Sequence, residues 1–478
     1  MRFFGRDEEL ASLRLLLKKK SSSMVACRGR RRIGKSTLIR EFARRNDLKL
    51  INIDGLAPRE RQDNRDQLEN FNLKLVKETG YGGPVPHNWV EAFKALDSVI
   101  ADDAWTVVLL DEISWMGRYD ADFPGHLKSA WDADLKYHDK LILVVCGSVS
   151  AWIRKNLLEN SGFGGRFSRD IVLQELPLPL CAKFWGERAS QLPTHEIIDV
   201  LAVTGGVPRY LEEVDPTLSA DENIKRLCFH ADGPLFKDFP ATFSDVLGET
   251  ARIKGDILRL LSERAMTCSE IAAELGRERG GGLSEILQEL CDAGFLSDDC
   301  GCNPSTGKPA RQGSYRLRDN YTRFFLKYIE PNLAAIRKGQ YNFISLGMLP
   351  GWESVLGLAF EGLVVNNALS LLPFLHLQGV PILSAAPYSR RGTKHQHGVQ
   401  IDLVIQTRKS VHLIEVKRQR EIGEEVETEV AAKRAKIKVP DGVALRTGLV
   451  YDGHLSEIVR GNAYFDALIS ARELLGFA

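Results

Sequence analysis

From residue 24 to residue 176, short apolar runs alternate with longer stretches whose apolar positions recur at helical spacing. The runs are Met24–Arg28, Leu48–Asp54, Trp105–Asp111, Lys140–Ser148 and Asp170–Leu176. Runs this rich in β-branched residues, set between amphipathic stretches, predict a parallel sheet covered by helices on both faces. Residues 177–250 predict mainly helix, broken at Gly205-Gly206-Val207-Pro208. The pattern then changes. Residues 255–320 read as short helices followed by a turn-rich segment, CGCNPSTGKPARQGSYRL. From about residue 350 a long apolar helix leads to two strands, VQIDLVIQ and SVHLIEVKR, separated by TRK. The charged stretch RQREIGEEVETEVAAKRAKIK that follows reads as a solvated helix. These shifts divide the chain into expected domains at residues 1–250, 251–330 and 335–478.

Composition narrows the class. The 478 residues are 44% hydrophobic and 27% charged, with a net charge of +1. That is ordinary for a globular protein and excludes a disordered, fibrous or disulfide-scaffold chain. It does not exclude a local basic groove. The 8 cysteines are scattered and form no C-x-x-C. Cys291, Cys300 and Cys302 lack the paired spacing of a zinc site, and Cys27 and Cys146 fall in apolar runs that bury thiols. Such usage fits a reducing compartment. The N-terminus lacks an apolar signal core, and no apolar run approaches about 18 residues. A cytoplasmic protein with no membrane segment is expected.

The segment Gly29-Arg30-Arg31-Arg32-Ile33-Gly34-Lys35-Ser36-Thr37 fits G-x-x-x-x-G-K-[ST] and lies between an apolar run and a helical one. Its glycines let the backbone close around a phosphate, and its amides and the following helix N-terminus turn positive dipoles inward. Lys35 is expected to reach the β- and γ-phosphates, and Ser36 to hold Mg²⁺. A second run ends in Asp111-Glu112. Asp111 is placed to hold Mg²⁺ and Glu112 to polarise the attacking water. The next run ends in Gly147-Ser148, where Ser148 can reach the γ-phosphate or the water. No N-K-x-D occurs, so ATP is favoured over GTP.

These residues resemble the AAA-like STAND class of P-loop ATPases, and within it the archaeal-type branch. The resemblance begins at Phe3-Phe4-Gly5-Arg6 with Glu9 and Leu10. It continues through both nucleotide motifs, Gly147-Ser148, Gly165-Arg166 and Gly205-Gly206-Val207-Pro208-Arg209-Tyr210-Leu211. It implies an arginine finger at Arg166, a nucleotide-proximal Pro208 and oligomerisation through the ATPase domain.

The middle module reads as a winged helix, with GDILRLLSER, SEIAAELG and LSEILQELCDAGFL as its helices and SYRLRD in its wing. Such a module places its third helix in a DNA groove. Here that helix carries Glu285, Glu289 and Asp292, which oppose phosphate. Lys308, Arg311, Arg316 and Arg318 on the wing are the residues able to touch a nucleic-acid backbone; the other reading is an intramolecular relay.

The C-terminal signal is Gln400-Ile401-Asp402-Leu403-Val404 followed by Leu413-Ile414-Glu415-Val416-Lys417. Residues i and i+2 of a strand share a face, which pairs Glu415 with Lys417. A turn at Thr407–Ser410 requires paired residues to sum to 817, and 402 + 415 = 817, so Asp402 falls opposite Glu415. Adjacent carboxylates repel unless a divalent cation lies between them, which suits Asp402 and Glu415 to Mg²⁺ or Mn²⁺. Glu361, inside an apolar helical stretch, is a further acid in need of a partner. Together these resemble the PD-(D/E)xK, restriction-endonuclease-like nucleases. The resemblance assigns Glu361, Asp402, Glu415 and Lys417 to metal and catalytic positions; Asp402 lacks the preceding proline. Arg390, Arg391, Lys394, His395 and His397 could line a phosphate track nearby.

The expected fold is α/β: a P-loop parallel-sheet ATPase, a helical and winged-helix middle region, and a restriction-endonuclease-like C-terminal domain. The expected function is ATP-controlled, metal-dependent cleavage of DNA or RNA. The alternative is a STAND-type switch that binds nucleic acid or a protein partner through an inactive nuclease fold. A helicase is disfavoured, because no second ATPase core is present.

Overall fold

The computed structural model describes residues 3–237, 250–277, 280–310, 313–392 and 398–477. Internal contacts divide the chain into two compact units, residues 1–174 with 288–294, and residues 175–287 with 295–478. The first division falls well before the boundary expected at residue 250.

The first unit is built on five strands: β1 Ser23–Gly29, β2 Lys49–Asp54, β3 Thr106–Asp111, β4 Leu141–Gly147 and β5 Phe167–Leu173. Their order is β2-β3-β4-β1-β5, and every neighbouring pair is parallel. Alternation splits each central strand between two cores. Met24, Ala26, Val108, Leu110, Leu143 and Val145 pack on one face. Val25, Cys27, Val107, Leu109, Val144 and Cys146 pack on the other. Both faces are thus covered, as continuous apolar runs require. Strand β5 begins three residues before the run Asp170–Leu176, at Phe167. It is an edge strand with exposed positions, so pairing with β1 extends it further than its apolar residues indicate.

The second unit contains two sheets. The helices Ala251–Glu263, Cys268–Glu274 and Gly281–Asp292 precede an antiparallel pair, β6 Leu296–Asp299 with β7 Ser314–Leu317. Thr267 and Glu270 form the capping box that starts the second of these helices. The Gly281–Asp292 helix runs into residues 288–294, which belong to the first unit. The C-terminal sheet has the order β12-β11-β10-β9-β8. Its strands are β8 Ile382–Arg390, β9 Val399–Thr407, β10 Ser410–Ile422, β11 Ala444–Leu455 and β12 Ala467–Ser470. Strands β8, β9 and β10 are antiparallel neighbours, whereas β10, β11 and β12 run parallel.

The charged stretch after β10 is not a purely solvated helix. The Glu425–Arg434 helix buries Val426 and Val430 in an apolar cluster with Leu449, Val459 and Phe465. Its hydrophobic residues are sparse, but they fall four apart and so share one face. All eight cysteines are free, with Cys27 and Cys146 fully buried. No described helix is long and apolar enough to cross a membrane. Arg311, Lys394, His395 and His397 lie outside the described residues.

Candidate functional site

The phosphate loop of the first unit connects β1 to the Lys35–Arg45 helix. Two of its glycines are required for different reasons. Gly29 has φ +139°, and a Cβ there would lie 2.5 Å from the Leu173 carbonyl oxygen. Gly34 has open space around it but φ +93°, a left-handed conformation costly for other residues. Arg32 is also left-handed, at φ 70°. Arg30 and Ile33 are buried, and Arg31 is half-buried. Lys35 Nζ donates to the carbonyls of Gly29 at 2.9 Å and Arg30 at 3.0 Å, which holds the ammonium inside the loop. Ser36 and Thr37 open the helix, and Ser36 Oγ donates to Asp111 Oδ2.

Asp111 ends β3 and Glu112 follows with φ 49°. Asp111 Oδ1 accepts from the Glu112 amide at 3.0 Å. Glu112 Oε2 accepts from both the amide and hydroxyl of Ser148, at 3.0 and 2.8 Å. The ends of β1, β3 and β4 therefore bring Lys35, Ser36, Asp111, Glu112 and Ser148 to one edge of the sheet. Ser150 Oγ, which sequence reasoning missed, accepts from the Gly29 amide at 3.0 Å and braces the loop.

Arg166 forms a two-point pair with Asp132, Nε–Oδ1 2.9 Å and Nη2–Oδ2 2.7 Å. That hydrogen-bonded pairing holds the Asp132 carboxyl down to about 2. Pro208 starts the helix Pro208–Leu211, which belongs to the second unit.

Residues 288–294 are tied to the rim of this site. Asp292 accepts from Arg154 Nε at 2.7 Å and lies 4.0 Å from Arg28 Nη1. Glu289 accepts from Lys155 Nζ at 2.8 Å. Two of the three acids expected to oppose DNA thus neutralise basic residues of the chain itself.

In the second unit, β9 and β10 pair as Val411 with Gln406, His412 with Ile405, Leu413 with Val404 and Ile414 with Leu403. Each pair sums to the 817 that the Thr407–Ser410 turn requires. The ladder ends one step short of Asp402 and Glu415. There Asp402 Oδ2 accepts from the Val416 amide at 2.8 Å. Asp402 and Glu415 are only 9% and 3% exposed. Burial, then Glu415, then Glu361 push the Asp402 carboxyl up to about 7. Glu361, on the Trp352–Asn366 helix, is also pushed up by burial, against the pull of Arg316 and Arg323. Three elements therefore bring Glu361, Asp402 and Glu415 into one electrostatically coupled group.

Lys417 Nζ lies 3.1 Å from Glu415 Oε1 and 2.8 Å from Glu429 Oε2. Lys433, which sequence reasoning missed, donates to both oxygens of Glu415 at 2.7 Å. It also lies 2.9 Å from Glu429 Oε1. Burial works against the charge on Glu429, but the bonds from Lys417 and Lys433 hold its carboxyl down to about 2. The signal for this pair was the i, i+4 spacing of Glu429 and Lys433. Among the described residues, no group of three or more His, Cys, Asp or Glu is arranged to hold a metal ion. The two-carboxylate set of Asp402 and Glu415 suits a hard divalent cation by charge and by its oxygen donors.

Residues 3–214 match the family described as an ATPase domain predominantly from Archaea, for which ATP binding is expected. The chain is 23% identical over 390 residues to an uncharacterised protein of Methanocaldococcus jannaschii, MJECL04, covering 79% of this chain and 80% of that one. Among solved structures it is similar to the Walker-type ATPase PABY2304 of Pyrococcus abyssi, with a TM-score of 0.46 and 17% identity over 68% of this chain and 96% of that chain. It is also similar to the Aeropyrum pernix ORC2 protein, with a TM-score of 0.42 and 14% identity over 70% and 95% of the two chains.

Proposed function

We propose that this chain couples ATP binding and hydrolysis to metal-dependent cleavage of nucleic acid, with the ATPase domain controlling a nuclease site of the PD-(D/E)xK type. The observation that carries the reading is the buried, electrostatically coupled pair Asp402 and Glu415 with Lys417 3.1 Å from Glu415. Two buried carboxylates that repel each other are stable together when a cation or a proton joins them. Asp402 and Glu415 would hold Mg²⁺ or Mn²⁺, Glu361 adds a third negative charge nearby, and Lys417 orients water or the scissile phosphate. A divalent cation at such a site activates water and neutralises charge on the phosphate.

In the ATPase domain, Lys35 binds the β- and γ-phosphates, and Ser36 and Asp111 would hold Mg²⁺. Glu112 orients the attacking water, and Ser148 holds the Glu112 carboxylate. Arg166 acts on a neighbouring copy's nucleotide once Asp132 releases it, and the family resemblance assigns Pro208 to nucleotide binding. The helices before β6 and the β6–β7 pair form a winged helix, and nucleic acid, DNA before RNA, is the partner.

The test is cleavage of labelled single- and double-stranded DNA and RNA with Mg²⁺ or Mn²⁺, with and without ATP. Wild type, Lys35→Ala and Asp402→Ala are compared. Cleavage lost in Asp402→Ala, with ATP hydrolysis kept, supports the assignment. Cleavage retained in purified Asp402→Ala removes it. One observation favours a second reading, a nucleotide switch with a silent nuclease fold: Lys433 already supplies Glu415 with a cation, at 2.7 Å from each oxygen. No cleavage of any substrate, with ATP hydrolysis intact, selects that reading.

A further inference from the structure

Within the second unit lies a cavity of about 1010 Å³, lined by Arg316, Arg323, Glu361, Gly362 and residues of the helices Ala251–Glu263 and Cys268–Glu274. Arg316 and Arg323 are 8% and 5% exposed. Each guanidinium is anchored through part of its donor set. Arg316 donates from Nε to Asp299 at 2.8 Å and from Nη2 to the Asn366 side chain at 3.0 Å. Arg323 donates from Nε to the Ser262 carbonyl and from Nη2 to the Leu317 carbonyl, both at 3.2 Å. Each leaves Nη1 buried without a hydrogen-bond partner.

The two Nη1 atoms converge. A Cβ built on Gly362 would lie 3.9 Å from each of them and 3.4 Å from Asn320 Oδ1. That point is just beyond hydrogen-bond reach of both nitrogens. Both nitrogens thus border the same space above Gly362, where the oxygens of one oxyanion can accept from both. The absence of a side chain at Gly362 keeps it open. Burial, then the like charge of Arg316, lowers Arg323 to about 10, and the negative charges of Glu361 and Asp319 offset this only in part. Two of the other lining acids are already engaged. Glu270 pairs with Arg391 and caps the Cys268–Glu274 helix, and Glu274 lies 3.6 Å from Arg264.

We propose that this cavity is a phosphate-binding pocket, in which Arg316 and Arg323 grip one phosphoryl group over Gly362. The pocket does not require cleavage, since a silent nuclease fold would retain it. The phosphoryl group belongs to a nucleic-acid strand or to a free nucleotide, and the test distinguishes them.

The probes are a fluorescent 12-nucleotide single strand without terminal phosphates, AMP and inorganic phosphate. Each is titrated with chelator into the full chain carrying Lys35→Ala, so that neither the phosphate loop nor a metal contributes. The comparison variants are Gly362→Ala and Arg323→Lys. Alanine meets only ordinary contacts at position 362 and is the better helix former, so the melting temperature holds or rises. A tenfold or greater loss of binding in Gly362→Ala supports the pocket. Loss of the strand assigns it to nucleic acid, and loss of AMP and phosphate alone assigns it to a free nucleotide. Equal affinity for all three probes in the parent and in Gly362→Ala, or no binding by the parent, overturns the proposal.

Discussion

Lys433 Nζ lies 2.7 Å from both carboxylate oxygens of Glu415, so a side chain from the Glu425–Arg434 helix occupies the cation position of a buried acid on β10. Where a metal is to bind Glu415, it competes with this ammonium. Lys433→Gln leaves Glu415 with Lys417 alone and should destabilise the chain by about 1–3 kcal/mol in chelator. Mg²⁺ or Mn²⁺ should restore much of that loss, and the apparent dissociation constant for the metal should fall several-fold below that of wild type. Calorimetric titration and melting curves with and without metal read both effects. A variant whose metal affinity is unchanged would show that Lys433 is not in competition.

Asp402 provides a pH prediction with a definite sign. Its folded-state carboxyl is pushed up to about 7, against an ordinary value of 3.8. Between those values the folded state binds more protons than the unfolded state, so this group's contribution to stability falls as pH rises from about 4 to 7. Asp402→Asn removes the titration and can still accept from the Val416 amide. The variant should therefore gain on wild type in urea midpoint as pH rises from 5 to 8. A constant difference across that range would mean that Asp402 ionises without penalty. A divalent cation at the site should flatten the wild-type profile, because it lowers the cost of the charged form.

Nucleotide binding and hydrolysis should separate at two residues of the first unit. Lys35 is 6% exposed and bound to two loop carbonyls, so Lys35→Ala removes the ammonium from the phosphate position. A lost charge-assisted contact is worth about 1.5–3 kcal/mol, which predicts roughly ten- to more than hundredfold weaker ATP binding. Glu112→Gln keeps an acceptor for Ser148 but loses the charge that polarises water. It should bind ATP with unchanged affinity and lose about 10²–10⁴-fold in kcat. Equal losses in binding for both variants would contradict the division of roles.

The sequence carried the local parts of this architecture. The five parallel strands of the first unit follow their apolar runs because both faces are buried, and the loop at Gly29–Thr37 is specified by residues adjacent in the chain. The β9–β10 register was readable because a short turn fixes it arithmetically. Strands β8 and β12 were not readable, since their exposed and half-buried positions give no continuous run, and the buried run of β11, Thr447–Val450, is short and half made of Thr and Gly. Lys433 and Glu429 were hidden within a charged stretch whose few apolar residues gave a weak facial signal. The cradle of Arg316, Arg323 and Gly362 depends on residues that only the tertiary fold brings together.

Asp292 offers the test of communication with the phosphate loop. Its carboxylate accepts from Arg154 Nε at 2.7 Å and faces Arg28, on β1 just before Gly29. Arg154 follows Ser150, whose hydroxyl accepts from the Gly29 amide. Gly294, at φ +77°, lies against Arg30, and a Cβ there would be 3.3 Å from the Arg30 Cβ. A change in the loop on binding ATP must therefore act on residues 288–294 through Arg28, Arg30 and Arg154. In wild type, ATP should change amide hydrogen exchange across residues 288–294. In Asp292→Ala, ATP binding should persist while that change shrinks, because the charge-assisted link to Arg154 is gone. An identical ATP response in the two proteins would show that Asp292 serves only to neutralise its basic neighbours.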